Sequence, residues 1–197
     1  GVKMVMNTEV TPAMVAEAKP DAVIVATGSN PLVLPIPGIN DTGVIHAGDL
    51  LDGKAAVGKK VLVVGGGMVG CEVADFLGEL GHEVSVIELR DQLGPDVIPE
   101  HRKFLMKDFE AYKVQGVTGA KVAQFFTDGV SYTLADGTEG RLEGFDNVVL
   151  AMGYRNNDTI SEEIKKIVAE TYVIGDAVKA RKALDATAEG LNAALEI

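Results

Sequence analysis

Apolar and polar positions along this chain follow two rhythms. Short apolar runs, "VKMVM" (residues 2–6), "DAVIVATG" (21–28), "KKVLVVGG" (59–66), "EVSVIE" (83–88), "FDNVVLAMG" (145–153) and "TYVIGDA" (171–177), read as strands. Between them the spacing predicts helices over Thr11–Ala18, with Pro12 in its first turn, over Gly48–Leu51, over Met68–Leu80 and over Pro99–Tyr112. In the third of these, Val69, Val73, Phe76, Leu77 and Leu80 form the apolar stripe, and Gly81 ends it. A short helix after a polar loop, carrying Glu162, Glu163, Lys165 and Lys166 on an exposed face, and a closing helix from Ala183 to Ile197 complete the set. Met4, Met6 and Met14 lie on apolar runs and are expected in the core.

The rhythm changes after residue 120. "KVAQFF", "VSYTLA" and "EGRLEG" are short alternating runs, and Asp128-Gly129 and Asp136-Gly137 are hairpin pairs between them, so a small antiparallel meander is expected. Earlier, "SNPLVLPIPGIN" places Pro31, Pro35 and Pro37 close together, which favours an extended crossing between domains over helix or central strand.

The strand "VLVV" runs directly into "GGGMVG". Gly65 suits a tight turn with φ > 0, Gly67 a close approach of backbone to a pyrophosphate, and Gly70 close packing of helix on strand. The helix N-terminus then offers free N–H groups and a partial positive charge to phosphates. Such glycine spacing is weak evidence alone, but here a strand precedes it, a helix follows, and Glu88 stands at the end of the next strand. Gly65, Gly66, Gly67, Met68, Val69 and Gly70, with Glu88, Leu89 and Arg90, are therefore the candidate nicotinamide dinucleotide residues. A carboxylate at Glu88 can accept from both ribose hydroxyls of NAD(H). Against the 2′-phosphate of NADP(H) it is repelled, by about 1–4 kcal/mol per unit charge at about 4 Å. NAD(H) is thus preferred over NADP(H). Arg90 is either a solvated surface residue or a group that turns toward a 2′-phosphate and weakens the preference.

Composition narrows the partners. Among 197 residues, 29 acidic against 18 basic give a net charge of −11, which opposes a phosphate backbone, so nucleic acid is not an expected partner. No apolar run reaches the length of a membrane span, and no charged-then-apolar leader is visible at Gly1, so no membrane association and a cytoplasmic location are expected. Cys71 is the only cysteine, which excludes an internal disulfide and a thiolate cluster; it reads as a packing residue. His46, His82 and His101 are too scattered for a metal site. The chain opens on Gly1 with a strand-like run, and is read as a fragment of something longer.

"VIVATG", "GGGMVGCE", "LAMGYR" and "YVIGDAVKARKALDATAEGLNAA", in this order, resemble the flavoprotein reductases with two dinucleotide-binding domains. The likeness extends to the C-terminal part of the NADH:flavin oxidoreductase group that includes 2,4-dienoyl-CoA reductase and trimethylamine dehydrogenase. The resemblance implies an α/β fold: a Rossmann-like parallel sheet with helices on both faces and the small meander, inserted into part of a second, FAD-type domain. Residues 1–37 would be the N-terminal remnant of the FAD domain, 38–153 the NAD(H) domain and 154–197 the C-terminal part of the FAD domain. Ala26, Thr27 and Gly28 would lie where the chain leaves the FAD domain, and Ala151, Met152 and Gly153 at the return crossing. Gly175, Asp176 and Ala177 would face the flavin, with the Asp176 carboxylate accepting a hydrogen bond from the FAD ribitol; a turn-forming role for Asp176 is the alternative. The family's first glycine-rich turn, which holds the FAD adenosine diphosphate, would lie upstream of Val2.

Hydride transfer from nicotinamide to flavin is carried by the cofactors, so no catalytic residue is assigned. The implied function is an NAD(P)H-binding reductase module that positions NADH for hydride transfer to FAD, inactive in isolation. FMN and an iron–sulfur cluster are implied only for N-terminal domains of the parent chain. A stand-alone dinucleotide-binding or sensing module is the alternative. An independent NAD-dependent dehydrogenase fits poorly, since no placed His, Lys or Tyr follows a substrate-domain pattern.

Overall fold

The computed structural model describes residues 1–40 and 43–197. In chain order the elements are α1 (Pro12–Ala18), β1 (Ala22–Val25), β2 (Ser29–Pro31), β3 (Ile45–His46), α2 (Ala47–Leu51), β4 (Lys60–Val64), α3 (Met68–Glu79), β5 (Glu83–Ile87), α4 (Pro99–Tyr112) and β6 (Gln115–Val117). They continue with β7 (Ala120–Phe126), β8 (Gly129–Leu134), β9 (Glu139–Leu142), β10 (Asn147–Leu150), β11 (Tyr154–Asn156), α5 (Ser161–Ile164), β12 (Glu170–Val173), a 3-10 turn at Gly175–Ala177 and α6 (Ala183–Glu196). Two compact units result, one made of Gly1–Asn30 with Tyr154–Ile197 and the other of Pro31–Gly153. Ile36 and Ile39 pack in the core of the second unit, and the Pro37 carbonyl accepts from Phe125 N–H at 2.8 Å.

The second unit is built on a five-stranded sheet in the order β3-β10-β4-β5-β6, parallel at every pairing. Val61 to Val64 are all buried, as expected of a parallel strand covered on both faces. Val61, Val63, Val84, Val86 and Val149 pack toward residues of α2, α3 and α4. Leu62, Val64, Ile87, Val148 and Leu150 pack toward Phe125 and Val130 of the antiparallel sheet β7-β8-β9. The α/β class and the parallel Rossmann-like sheet agree with the sequence reading. Among the described residues of this unit the helices pack on one face of the sheet and the meander on the other, its alternating strands supplying one apolar side.

Helix α3 also corrects the pattern read from its sequence. Val73 and Leu77 are buried, but Phe76 and Leu80 are exposed, and the buried stripe is Gly70, Cys71, Val73, Ala74, Leu77 and Gly78. Small residues let the helix sit close: a Cβ on Gly78 would come within 2.8 Å of the Tyr112 ring on α4. Hydrophobicity counts large side chains, and a face selected for close approach is made of small ones.

The first unit pairs β1 with β12 in parallel and encloses a small core of Val15, Val25, Ile164 and Val168. Thr11 caps α1 by accepting from Met14 N–H at 3.3 Å, with Pro12 starting the helix. The expected strand at Val2–Met6 does not form, and Val2, Met4 and Met6 are 90%, 80% and 75% exposed. Met14 is exposed too, so none of these three methionines is core. A strand needs a ladder neighbour for its backbone groups, and residues 2–6 have none among the described residues. On α6 only Ala193 is buried, while Leu184, Leu191 and Leu195 lie exposed. No described helix is long and apolar enough to cross a membrane.

Candidate functional site

Register explains why the sequence-distant candidates meet. Val64 pairs with Ile87 and with Leu150, so the chain leaves β4, β5 and β10 at the same level, at their carboxyl edge. Gly65, Glu88 and Ala151 are therefore neighbours, tied by Gly65 N–H to the Ile87 carbonyl at 2.9 Å and Ala151 N–H to the Val64 carbonyl at 2.8 Å. Ligands of open α/β sheets bind at such an edge.

Each glycine of the turn is required for a different reason. Gly65 has φ +105°, and a Cβ there would also lie 2.4 Å from the Ala151 carbonyl oxygen. On Gly70 a Cβ would lie 1.8 Å from the Gly65 carbonyl oxygen, so α3 sits directly on the turn. Gly66 is buried beneath Leu93, whose Cδ2 a Cβ would approach to 2.5 Å. Gly67 differs, because the nearest atoms a Cβ there would meet are the movable ends of the Arg90 guanidinium at 3.2 Å and the Asp96 carboxylate at 3.4 Å. Gly65, Gly66 and Gly70 are enclosed by the packing of the turn, whereas the outer side of Gly67 is lined by the movable, charged ends of Arg90 and Asp96.

Glu88 is 6% exposed. Its Oε2 accepts the Gly66 N–H at 2.5 Å, and its Oε1 accepts the Arg90 N–H at 2.8 Å and the Arg90 Nε–H at 3.0 Å. A carboxylate has about four lone-pair sites, so Glu88 braces the turn and retains room for about one further donor. Arg90 is not merely a solvated surface residue, since its Nη2 also lies 4.0 Å from Asp96 Oδ1. Leu89 between them is 64% exposed. Met68 and Val69 open α3 and are half-buried.

Gly67, the N-cap of α3, has no side chain with which to satisfy the helix's orphan amides. Asp96 does so from 28 residues away, its Oδ1 accepting the Met68 N–H at 3.0 Å. The loop that carries it is pinned by Gly94 N–H to the Gly66 carbonyl at 2.7 Å and by Arg102 Nε–H to the Leu93 carbonyl at 2.7 Å. Cys71 lies beneath, fully buried, its thiol donating to the Gly66 carbonyl at 3.4 Å. Burial first, then the Asp96 charge, pushes that thiol up to about 11, which makes it an inert packing group. No cluster of His, Cys, Asp or Glu among the described residues could hold a metal ion. His82 is held by an Nδ1 contact to the Gly58 carbonyl at 2.8 Å.

In the first unit the structure gathers Thr27, Gly28, Asp176 and Ala177. The Thr27 hydroxyl donates to the Asn157 carbonyl, and Asn157 N–H donates to the Gly28 carbonyl at 2.9 Å. Asn156 Nδ2 donates to the Ala177 carbonyl at 3.2 Å. Asp176 braces its own turn: Oδ2 accepts the Ser29 hydroxyl at 3.0 Å and Oδ1 the Arg181 N–H at 3.1 Å. Gly175, at φ +62°, donates its N–H to Glu189 Oε2 at 2.7 Å, and the Arg181 pair holds Glu189 low. Asp176 keeps unused lone pairs, so the turn role and a ligand role are compatible. Ala26 is exposed; in the other unit Ala151 and Met152 are half-buried and Gly153 is exposed.

Asp96, Ser29, Asn156, Asn157 and Glu189 were not among the residues singled out from the sequence. Each acts across a long sequence separation or inside a loop, where no periodicity marks it.

Comparison with known proteins gives these turns a family. The chain is 34% identical to an NADH oxidase of Thermoanaerobacter brockii over all of its length and 31% of that protein. It is 29% identical to a metal reductase of Desulforamulus reducens, again over all of this chain and 34% of the other. It thus spans about a third of the length of these curated relatives. Among solved structures, a 2-naphthoyl-CoA reductase complex superposes with a TM-score of 0.89 at 30% identity, covering 100% of this chain and 30% of that one. Residues 2–189 match the pyridine nucleotide-disulphide oxidoreductase family, and the chain belongs to it.

Proposed function

We propose that this chain is the NADH-receiving module of a flavin-dependent oxidoreductase of the NADH:flavin oxidoreductase group. The observation that carries the reading is the glycine turn at the end of β4, closed onto the Glu88 carboxylate at the end of β5 through the Gly66 N–H. The pyrophosphate would lie against Gly67 and the start of α3, and the adenosine ribose would donate to Glu88. Glu88 favours NAD(H) over NADP(H) by charge, and Arg90, whose Nε–H donates to Glu88 at 3.0 Å, offsets part of that charge and narrows the preference.

NADH, when bound, supplies the hydride and FAD takes it. The chain's share is to bind and orient: Gly65–Gly70 and Glu88 for the nicotinamide dinucleotide, and Thr27, Asp176 and Ala177 for the flavin side. The chain up to the crossing at 31–37 and residues 154–197 are read as parts of the FAD domain, and the unit between them as the NAD(H) domain. Exposed Leu184, Leu191 and Leu195 on α6, together with relatives about three times longer, support a module completed by further chain. FMN and an iron–sulfur cluster belong to that further part, and the module in isolation transfers no electrons to substrate.

Asp176→Ala, made in the longer parent chain, tests the flavin half. It should leave NADH affinity unchanged while lowering the flavin-to-protein ratio after gel filtration. Equal flavin content in variant and parent would remove Asp176 from the flavin site and leave it as a turn-forming residue.

A further inference from the structure

The Asp96 carboxylate sits where an anionic ligand of the glycine turn is expected. It accepts the Met68 N–H at 3.0 Å, at the positive end of α3. It borders the open side of Gly67, where a Cβ would come within 3.4 and 3.5 Å of its two oxygens. The Arg90 guanidinium stands 4.0 Å from the same carboxylate. A backbone N–H at a helix start, beside a glycine whose outer side is bounded only by side-chain ends, and a guanidinium form a donor set that recognises a phosphate. Here an internal anion holds it.

We infer that Asp96 is a built-in competitor of the dinucleotide pyrophosphate: its carboxylate must leave the Met68 N–H and the Gly67 face before NADH is seated. The inference rests on the proposed reading of Gly65–Gly70 as the dinucleotide turn. Two observations make exchange feasible. The Asp96 side chain is 50% exposed on a loop, so water can receive it, while Gly94 and Leu93 keep the loop anchored by backbone contacts that do not involve Asp96. Once Asp96 has moved, Arg90 retains its Nε–H bond to Glu88 at 3.0 Å and turns its free Nη2 toward the incoming phosphate.

The alternative role is a permanent helix cap that persists when cofactor binds. The two variants together separate the roles: asparagine removes the charge but keeps an oxygen that still occupies the Met68 N–H, and alanine removes both, so only a competitor gains more in Asp96→Ala than in Asp96→Asn. NADH would be titrated by calorimetry into the parent chain and both variants at low and high salt. A competitor predicts that both variants bind NADH about two- to fivefold tighter than the parent at low salt, the range of one anion–helix interaction, with the larger gain in Asp96→Ala. The gain should shrink at high salt. Parent binding with no gain in Asp96→Ala, or a gain there no larger than in Asp96→Asn, overturns the competitor and leaves the turn reading intact. No NADH binding by any of the three overturns both.

Discussion

Gly70→Ala should detach the start of α3 from the turn and remove dinucleotide binding with it. The added Cβ would stand 1.8 Å from the Gly65 carbonyl oxygen, 2.9 Å from its carbon and 3.2 Å from the Ala151 Cβ. Two of these obstacles are backbone, so no side-chain rotation relieves the clash. Overpacking of this kind costs about 1–3 kcal/mol, occasionally more, against a total stability of about 5–15 kcal/mol. For a chain of this size that lowers the melting temperature by roughly 2–12 °C. The loss of NADH affinity should be at least about tenfold, because moving α3 displaces the Met68 N–H and the helix dipole together. A circular-dichroism melt and a calorimetric titration would check both. A variant matching the parent in both would mean that helix and turn are not packed as described.

Glu88→Ala should have the second large effect, and in two measurable parts. It strips the buried Gly66 N–H of its acceptor, a cost of about 1–3 kcal/mol in stability. It also removes the ribose acceptor, and a charge-assisted hydrogen bond of about 1.5–3 kcal/mol corresponds to roughly 10–150-fold in NADH affinity. NADPH should lose less, since the repelling charge disappears and Arg90 is released to meet the 2′-phosphate, so the NADH to NADPH preference narrows. Glu88→Gln, which keeps an acceptor for Gly66 but no charge, should fall between. An unchanged NADH to NADPH ratio in Glu88→Ala would end the ribose assignment.

The unit β4–turn–α3–β5 was legible because its signals are local. An apolar run, a spaced glycine turn and an acid after the next apolar run are each set by a few adjacent residues. The meander was legible for the same reason, although the first turn lies just before Gly129, which is already in β8, where an added Cβ would lie 1.9 Å from the Leu142 carbonyl oxygen. What escaped depended on neighbours supplied from elsewhere. Val2–Met6 has the alternation of a strand and no strand to pair with among the described residues. Phe76 and Leu80 follow the helical stripe, yet Gly70, Ala74 and Gly78 form the buried face because α3 has to lie close to the sheet and α4.

The candidate site divides along the same line. Gly65, Gly67, Gly70 and Glu88 stand out by type and spacing. The Asp96 contact to Met68 spans 28 residues and depends on a loop path that Pro95 and Gly94 bend, so no pattern in the sequence announces it. Glu88 itself was read as a ribose acceptor alone; its bonds to Gly66 and Arg90 add a structural role, which is why its substitution should affect stability and affinity together.

The most direct test of the account is an amide NMR titration of the chain with NADH. Saturable shifts are expected at Gly66, Gly67, Met68 and Glu88, with Ala26, Thr27 and Gly28 unmoved. No saturable shift up to about 1 mM NADH, equivalent to less than about 4 kcal/mol of binding, or shifts that leave Gly66–Met68 untouched, would contradict it.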